Sequence, residues 1–451
     1  MVTLSNVATY HAVKSGELTY RLSDGSIGEF IETGALGLSI GRVLDERYNQ
    51  DLEKELWEEG PGYPVAPYET VVIESEEIVG TRNMELEPSL NSSLARMGMR
   101  LCSVSIIEPR AKPEKVRAVL QNGPIGVYIT KELPYVKLRP HKLDEEKYMS
   151  VEEVLESAKR GAITLWSDKQ IDFGRYPTLK QLIKAYKKGD PWRPEKPLEL
   201  SEYLDLKNGC LNLPLNTKGV LRIEPKSWAK DKYVILNKNL KPFRCGICDF
   251  ILEAPDAEGR LKIMKGEHYL VNTTVLLGLH GVVGEILESS EISGLRMHST
   301  SKFLDSGNIN APVCELFSDE TISVSPKNTV SIEFEKVDGI ITDNHKDSVF
   351  SFQRFPRLPK CYDDSDLLLP LLAWRHGTKS HPQEKEIYKW ILRQLSLPYL
   401  ARYRGHLEKL FGYEKNYEIA SRMLDDIFPK RLHTHSDEDT IKFLKTLINT
   451  I

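Results

Sequence analysis

The sequence of 451 residues lacks three features that would assign it to a class at once: a long apolar run, a disulfide framework and an excess of charge of one sign. Its most apolar stretch, at 269–287, is interrupted by Asn272, two threonines and His280, so it predicts buried strands and not a membrane span. The first residues also lack the basic start and apolar core of a secretory signal. We therefore expect no membrane partner.

Cysteine is scarce and scattered, since six residues in a chain of this length do not make a disulfide-stabilised domain. This usage is typical of a reducing compartment, and we expect a cytoplasmic location. Basic and acidic residues nearly balance, 61 against 65, which gives a formal net charge of -4 at pH 7. Because a basic excess is missing, we expect no nucleic-acid partner and look to small molecules or proteins.

The predicted secondary structure changes along the chain. Residues 1–141 and 201–347 consist of short β-branched runs separated by glycine, proline and asparagine, which predicts strands. Between them, Ser150 and Glu153 have the spacing of a capping box and predict a helix, and the proline-rich stretch at 189–200 predicts a linker. In the remainder of the chain apolar residues recur at helical spacing. We therefore predict a mainly β protein with a C-terminal α-helical domain.

The two β-rich regions carry the same succession of features. ELEPSLNSSLARMGMRL at 85–101 and EISGLRMHSTSKFLDSG at 291–307 each combine an acidic lead, a serine-bearing turn and a basic residue. Further on, the segments at 122–140 and 306–326 each pass from a turn with glycine and asparagine into two strands. This ordered match predicts a tandem duplication.

Two short segments carry candidate chemistry. SSLARMGM, which begins at Ser92, resembles the serine–arginine signature of dCTP deaminases. LDSGNINAPVCELFSD at 304–319 resembles the hairpin that these enzymes share with trimeric dUTPases. The resemblance implies two tandem dUTPase-like distorted β-barrels, a homo-oligomer and active sites at barrel interfaces. It implies the domains 1–190, with a helical extension, 195–347 and the α-helical 348–451.

The resemblance also implies a reaction, the hydrolytic deamination of a deoxycytidine nucleotide from dCTP to dUTP, with dUTP diphosphatase activity as a further expectation. The substrate would be a deoxynucleoside triphosphate that carries Mg²⁺, and no metal would be bound by the protein itself. The C-terminal helical domain would be the surface for a protein partner.

Carried over position by position, the catalytic residues are Ser92, Arg96, Asp305 and Glu315. Glu315 would be the base, since hydrolysis at the pyrimidine ring needs a group that takes a proton from water. Arg96 would orient the serine and bind phosphate. The substrate-binding residues would be Ser93, Ser299 and Lys302.

Neither β-rich region carries a complete set of these residues. In the first, Gln121 and Lys131 stand where the acid and the base are expected, and in the second, Phe303 stands where the arginine is expected. Because sites of this family draw residues from neighbouring barrels, we predict a composite site in which Arg96 meets Glu315.

Two alternatives were weighed, and one of them stays open. CGIC at 245–248 has thiols at the spacing of a zinc or redox pair, but no second Cys/His pair follows, and the H-x-E of a zinc deaminase does not precede it. We therefore predict no zinc chemistry. The competing hypothesis is a degenerate relative of the family that binds a nucleotide or a protein partner without turnover. The incomplete set of catalytic residues in each β-rich region favours this hypothesis.

Overall fold

The computed structural model describes residues 2–167 and 197–339 and the strand at 362–363, with short gaps. The gaps are 29–30, 33–34, 46–56, 58–59, 106, 108, 111, 144–145, 218–219, 226–229, 231–232, 237–243, 246–248, 254, 288–294, 298–302 and 307–308. The predicted C-terminal helical domain, the linker up to residue 196 and most of CGIC lie outside the described residues. We refer to residues 2–143 as the first half and to residues 146–339 as the second half.

The prediction of a mainly β protein is confirmed. The strands of the first half are β1 Val2–Leu4, β2 Leu18–Arg21, β3 Ile31–Glu32, β4 Ala35–Leu38, β5 Ile40–Val43, β6 Tyr63–Val65, β7 Thr70–Thr81, β8 Met84–Leu90, β9 Arg100–Val104, β10 Glu114–Gln121, β11 Val127–Ile129 and β12 Val136–Lys142. The later strands are β13 Ile163–Ser167, β14 Leu211–Pro214, β15 Val220–Ile223, β16 Val234–Leu236, β17 Arg244–Cys245, β18 Phe250–Glu253, β19 Leu261–Ile263, β20 His268–Asn272, β21 Val275–Leu279, β22 Val283–Leu287, β23 Leu295–Met297, β24 Phe303–Leu304, β25 Ile309–Asn310, β26 Val313–Ser318, β27 Ile322–Val324, β28 Thr329–Glu335, β29 Val337–Asp338 and β30 Tyr362–Asp363.

The apolar stretch at 269–287 forms β20, β21 and β22, as its polar interruptions predict. Every residue of β20 and β21 is buried, which is the pattern of strands covered on both faces. In β28, by contrast, Val330, Ile332 and Phe334 are buried while the residues between them are half-buried. This period of two is typical of a strand with one face on the core.

The described helices are short: α1 Asn6–Ser15, α2 Ser92–Ala95 and α3 Val151–Lys159, with a 3-10 turn at Leu200–Glu202. The capping box predicted for α3 is present, because the Ser150 hydroxyl accepts from the backbone N–H of Glu153 and the Glu153 carboxylate accepts from that of Ser150. Among the described helices, none has the length and apolar character that crossing a bilayer requires.

The N-terminal strand joins the halves. Strand β1 lies between β12 of the first half and β29 of the second, antiparallel to the former and parallel to the latter. The resulting sheet has the order β29-β1-β12-β4-β3, with β8 also paired to β12. Hydrogen bonds of one sheet therefore run from one half into the other.

The same antiparallel pairings occur in both halves and in the same chain order. In the first half β6 pairs with β11, β7 with β10, β8 with β12 and β9 with β10. In the second half β19 pairs with β27, β20 with β26, β22 with β28 and β23 with β26. The order of connections therefore recurs, although the strand lengths differ.

Two buried apolar clusters form the core, and β20 and β26 separate them. Leu270 and Val313 belong to the first cluster, which is built mainly by the first half. Cys314 and Leu316, whose side chains alternate with that of Val313 along β26, belong to the second cluster. Helix α3 and β13 also contribute to the second cluster. The predicted domain boundary at residue 190 lies outside the described residues and stays a prediction.

Candidate functional site

The segment NSSLARMGM forms a capped single turn of helix that leads into a tight loop. The Asn91 side chain accepts a hydrogen bond from the backbone N–H of Ser93 at 3.0 Å and donates one to the carbonyl of Pro134 at 3.1 Å. Asparagine is a preferred N-cap because it satisfies such an N–H group. Since residues four apart share a helix face, Ser92 and Arg96 lie on the same side of the turn.

Two glycines allow this loop to pack closely on its neighbours. Gly98 has φ +83°, and a Cβ there would lie 3.0 Å from Pro124 and 3.2 Å from the ring of His268 in β20. A Cβ at Gly123 would lie 2.2 Å from the carbonyl oxygen of Met97. The loop is therefore held between the turn at 122–126 and the second half.

Arg96 and Glu315 meet at the contact between the halves. The Arg96 Nε lies 3.9 Å from the Glu315 Oε1, and the side chains are only 10% and 5% exposed. Glu315 is on the face of β26 that carries Val313, whose side chain belongs to the first cluster, so its carboxylate faces the first half. Burying a carboxylate is costly unless a cation is nearby, and Arg96 supplies that cation. The structure thus brings together the two residues that the composite-site hypothesis pairs.

A second arginine, at the start of β9, contacts the same strand. The guanidinium of Arg100 lies 3.3 Å from the centre of the Phe317 ring and 3.2 Å from Nε2 of His268. Burial, together with the charge of Arg100, lowers the pKa of His268 to about 3. The imidazole is therefore neutral near pH 7 and accepts from Arg100. Sequence reasoning missed this trio, although Arg100 follows Arg96 by four residues.

Asp305 lies against an arginine of the first half. The Arg139 Nη2 is 3.4 Å from the Asp305 Oδ1, and its guanidinium lies 3.9 Å from the centre of the Phe303 ring. Arg139 also contacts Glu335 at 3.3 Å and is almost fully buried. Phe303, which stands in place of an arginine in the second half, thus has an arginine from the first half stacked on it.

Three carboxylates converge on one lysine beside Arg139. Oxygen atoms of Glu87, Glu285 and Glu335 lie within 4.8 Å of one another. The Lys147 Nζ is 2.9 Å from Glu87, 2.8 Å from Glu285 and 3.9 Å from Glu335. Burial alone would lower the pKa of Lys147, but the hydrogen bonds that its ammonium donates to Glu285 and Glu87 raise the pKa overall. The ammonium therefore occupies the centre where a metal ion would need to sit.

One sequence signal points toward this cluster. Glu285 interrupts the apolar run VVGEIL, and an acid within a buried strand predicts a buried partner of opposite charge. The identity of that partner, Lys147, follows from the fold alone.

The strand register corrects the alignment of the two halves. Glu315 pairs with Leu270, the third residue of β20, and Val119 pairs with Val72, the third residue of β7. By this count Val119 has the place in β10 that Glu315 has in β26, whereas Lys131 lies outside β10. Lys131 is exposed, with its ammonium 5.5 Å from the centre of the Trp57 ring.

Of the three predicted substrate-binding residues, the structure describes Ser93. Ser93 is buried within the α2 turn. Ser299 and Lys302 lie outside the described residues, so their predicted contacts with a substrate stay predictions.

Together, the fold and the site define a mainly β protein with a buried arginine–glutamate pair between two halves. The structure is similar to the crystal structure of 2'-deoxycytidine 5'-triphosphate deaminase from Agrobacterium tumefaciens, with a TM-score of 0.51 and 10% sequence identity. The alignment covers 76% of this chain and 99% of that chain. Because neither half makes up that share of the sequence, the alignment runs through both, and the likeness concerns the fold.

Comparisons of sequence give no family. No protein-family model matches the chain, and no curated protein matches it.

Proposed function

We propose that the protein hydrolytically deaminates a deoxycytidine nucleotide, converting dCTP to dUTP without zinc. The contact between Arg96 and Glu315 carries the proposal, because it joins the arginine of one half to the glutamate of the other at a buried position. The fold shared with a dCTP deaminase supports the same substrate class.

In the proposed reaction Glu315 takes a proton from water as the water oxygen attacks C4 of the cytosine ring. The proton passes to N3 of the ring, the second proton of the water moves from the new C4 hydroxyl to the amino group, and the C4–N bond breaks to release ammonia and leave the C4 carbonyl. Arg96 holds the carboxylate in place, and the Ser92 hydroxyl, on the same face of the turn, donates a hydrogen bond to the reacting groups.

The phosphates would be bound by Ser93, Ser299 and Lys302. Mg²⁺ enters this scheme bound to the triphosphate of the substrate. Asp305 keeps the acid of the related dUTPases, which makes cleavage of the dUTP product part of the proposal. Its contact with Arg139 keeps the carboxylate at the start of the hairpin.

The recurrent strand pairings support a tandem duplication of dUTPase-like barrels. Since Val119 replaces the glutamate in the first half, the duplication would retain one complete site per chain. Homo-oligomers built through further barrel contacts, and a protein partner on the C-terminal domain, belong to the same proposal.

A second candidate function is nucleotide or partner binding without turnover. The observation that favours it is Val119, because a valine cannot act as a base and one ancestral site would already be lost.

Replacing Glu315 by Gln tests the enzyme proposal. Glutamine keeps the shape of the side chain but cannot take a proton, so deamination should fall by about a hundredfold or more while dCTP still binds. The assay incubates the purified protein with dCTP, dUTP and dCMP in the presence of magnesium and separates the products by chromatography. Glu77→Gln is the matched control, because Glu77 is a buried glutamate bonded to Ser39.

A double-mutant cycle distinguishes the two candidate functions. If Arg96 and Glu315 serve one substrate, Arg96→Ala combined with Glu315→Gln should reduce turnover far less than the product of the single effects. Independent effects, or a wild-type protein that binds dCTP without releasing ammonia, would favour the binding protein.

A further inference from the structure

Two arginines of the first half contact one face of β26. Arg96 and Arg100 are four residues apart in the chain, and their partners Glu315 and Phe317 are two residues apart in β26. Since the side chains of a strand alternate between its faces, Glu315 and Phe317 point to the same side, toward the first half. Strand geometry spaces such residues about 7 Å apart. The charge of Arg100 therefore lies near the carboxylate that Arg96 contacts.

Strand β20 completes the surface that receives Arg100. His268 is paired with Phe317 in the sheet, and the two rings lie 5.0 Å apart. Leu270, two residues further along β20, is paired with Glu315. The Arg100 Cζ is 3.3 Å from the centre of the Phe317 ring, and the Arg100 Nη2 is 3.2 Å from Nε2 of His268. Arg100 thus contacts both members of the cross-strand pair next to the pair that contains Glu315.

The contacts of Arg96 and Arg100 differ in what they fix. The 3.9 Å between the Arg96 Nε and the Glu315 Oε1 is longer than a hydrogen bond, so this contact alone gives attraction but little orientation. The Arg100 guanidinium is held at two points, because it lies against an aromatic ring and also donates to an imidazole nitrogen. The segment that carries both arginines is therefore anchored to the second half through Arg100.

The ionisation of Glu315 depends on the groups around it. Arg96 and Arg100 approach its face of β26 from the first half, and His268 lies on the same face in β20. Burial and the charge of Arg100 lower the pKa of His268 to about 3, so the ring is neutral near pH 7. Cys314 faces the other side of the strand, and burial raises the pKa of its thiol, so it is uncharged too. The two guanidiniums thus favour the ionised form of the carboxylate.

We infer that Arg100 is a positioning residue for Glu315, which holds the carboxylate beside Arg96 and favours its ionised form. This inference rests on the proposed function and deepens it, because a general base must be both ionised and held in place. It gives a role to a residue that lies outside both the serine–arginine segment and the hairpin.

Two substitutions at position 100, with a matched control, test the inference. Arg100→Gln removes the charge and keeps a donor for His268, whereas Arg100→Lys keeps the charge on a side chain of different shape. Arg222→Gln is the control, because Arg222 is also a half-buried arginine and contacts carboxylates. Arg222 pairs with Tyr269, whose side chain points to the opposite face of the sheet from that of His268. Thermal unfolding checks that each variant is folded.

Two measurements report on Glu315 independently of each other. Steady-state kinetics with dCTP over a range of pH gives kcat, KM and the acidic limb of kcat/KM, which follows the ionisation of the base in the free protein. Carbon-13 NMR of glutamate-labelled protein follows the same carboxyl group without any need for turnover. The signal of Glu315 is the one that is absent from the Glu315→Gln variant.

We expect Arg100→Gln to lower kcat at pH 7 about tenfold or more with little change in KM. The acidic limb and the NMR titration of Glu315 should both move about one pH unit higher, because the carboxylate loses a nearby cation. Arg100→Lys should restore the limb and part of kcat, and Arg222→Gln should change neither. The shift should persist when His268→Gln is added to both proteins, since position 268 then carries no group that titrates.

An unshifted titration of Glu315 in Arg100→Gln, or equal effects of Arg100→Gln and Arg222→Gln, would overturn the inference. An active Arg100→Gln variant with the kcat of the wild type would also overturn it and would leave the proposed function standing. A wild-type protein that releases no ammonia from dCTP, together with a shifted titration in Arg100→Gln, would overturn the proposed function and uphold the effect of Arg100 on Glu315.

Discussion

At the scale of single residues, His268 shows how the contact between the halves sets a proton equilibrium. Its ring is buried against Phe317 and Gly98, and Arg100 lies beside Nε2. Burial and this positive charge both disfavour the imidazolium, and they lower the pKa of His268 to about 3. The ordinary pKa of histidine, about 6.5, applies to the unfolded chain.

Stability should therefore fall as the pH falls below about 6.5. In that range the unfolded chain binds a proton at His268 that the folded protein does not, which favours unfolding by at most about 1.4 kcal/mol per pH unit. His268→Gln should remove this component, so its free energy of unfolding should decline less between pH 7 and pH 5. Urea unfolding of both proteins at the two pH values measures the difference. Equal declines would mean that the folded protein protonates His268.

At the scale of secondary-structure elements, β1 depends on a polar side chain in an interior position. The hydroxyl of Thr3 lies 3.0 Å from Nδ1 of His141 and donates to the carboxylate of Glu335. His141 is on β12 of the first half, and Glu335 ends β28 of the second. The strand thus links the halves through side chains as well as through its backbone.

Thr3→Val should destabilise the protein although valine suits a strand equally well. Without the hydroxyl, the buried Glu335 carboxylate loses a donor, which we expect to lower the free energy of unfolding by about 1–3 kcal/mol. Thr3→Ser keeps the hydroxyl and should lose less. Urea unfolding of the three proteins gives the comparison, and equal stabilities for Val and Ser would show that the hydroxyl contributes nothing.

At the scale of the whole molecule, both halves contribute side chains to the first apolar cluster and strands to one sheet. Leu270 is on a strand of the second half, yet its side chain belongs to the cluster built mainly by the first half. Strand β1 adds backbone pairing across the same boundary. Because this apolar surface is buried between the halves, unfolding of one half exposes apolar surface of the other.

Leu270→Ala should therefore destabilise both halves by the same amount. A buried leucine replaced by alanine typically lowers the free energy of unfolding by about 2–5 kcal/mol. Hydrogen exchange measured by mass spectrometry should show this loss in protected amides of β4 and of β28 alike. Faster exchange confined to one half would contradict a shared unfolding unit.

The local structure and the candidate site residues could be predicted from the amino-acid sequence. Alternation of apolar residues predicted the strands, and Ser150 with Glu153 predicted the cap of α3. The serine–arginine segment stood out because an arginine in the middle of a buried strand is unusual, and Glu315 was named because its segment resembles the hairpin of dCTP deaminases. These patterns depend on neighbours within a few residues of the chain, so they can be recognised without knowledge of the fold.

Which strand faces meet could not be predicted and became known from the fold. A period of two places Glu315 opposite Leu316 across the strand, but it does not say which of them faces Arg96. The same limit applies to the register that pairs Val119 with Val72 and Glu315 with Leu270. Each depends on contacts between segments distant in the chain, which local patterning does not encode.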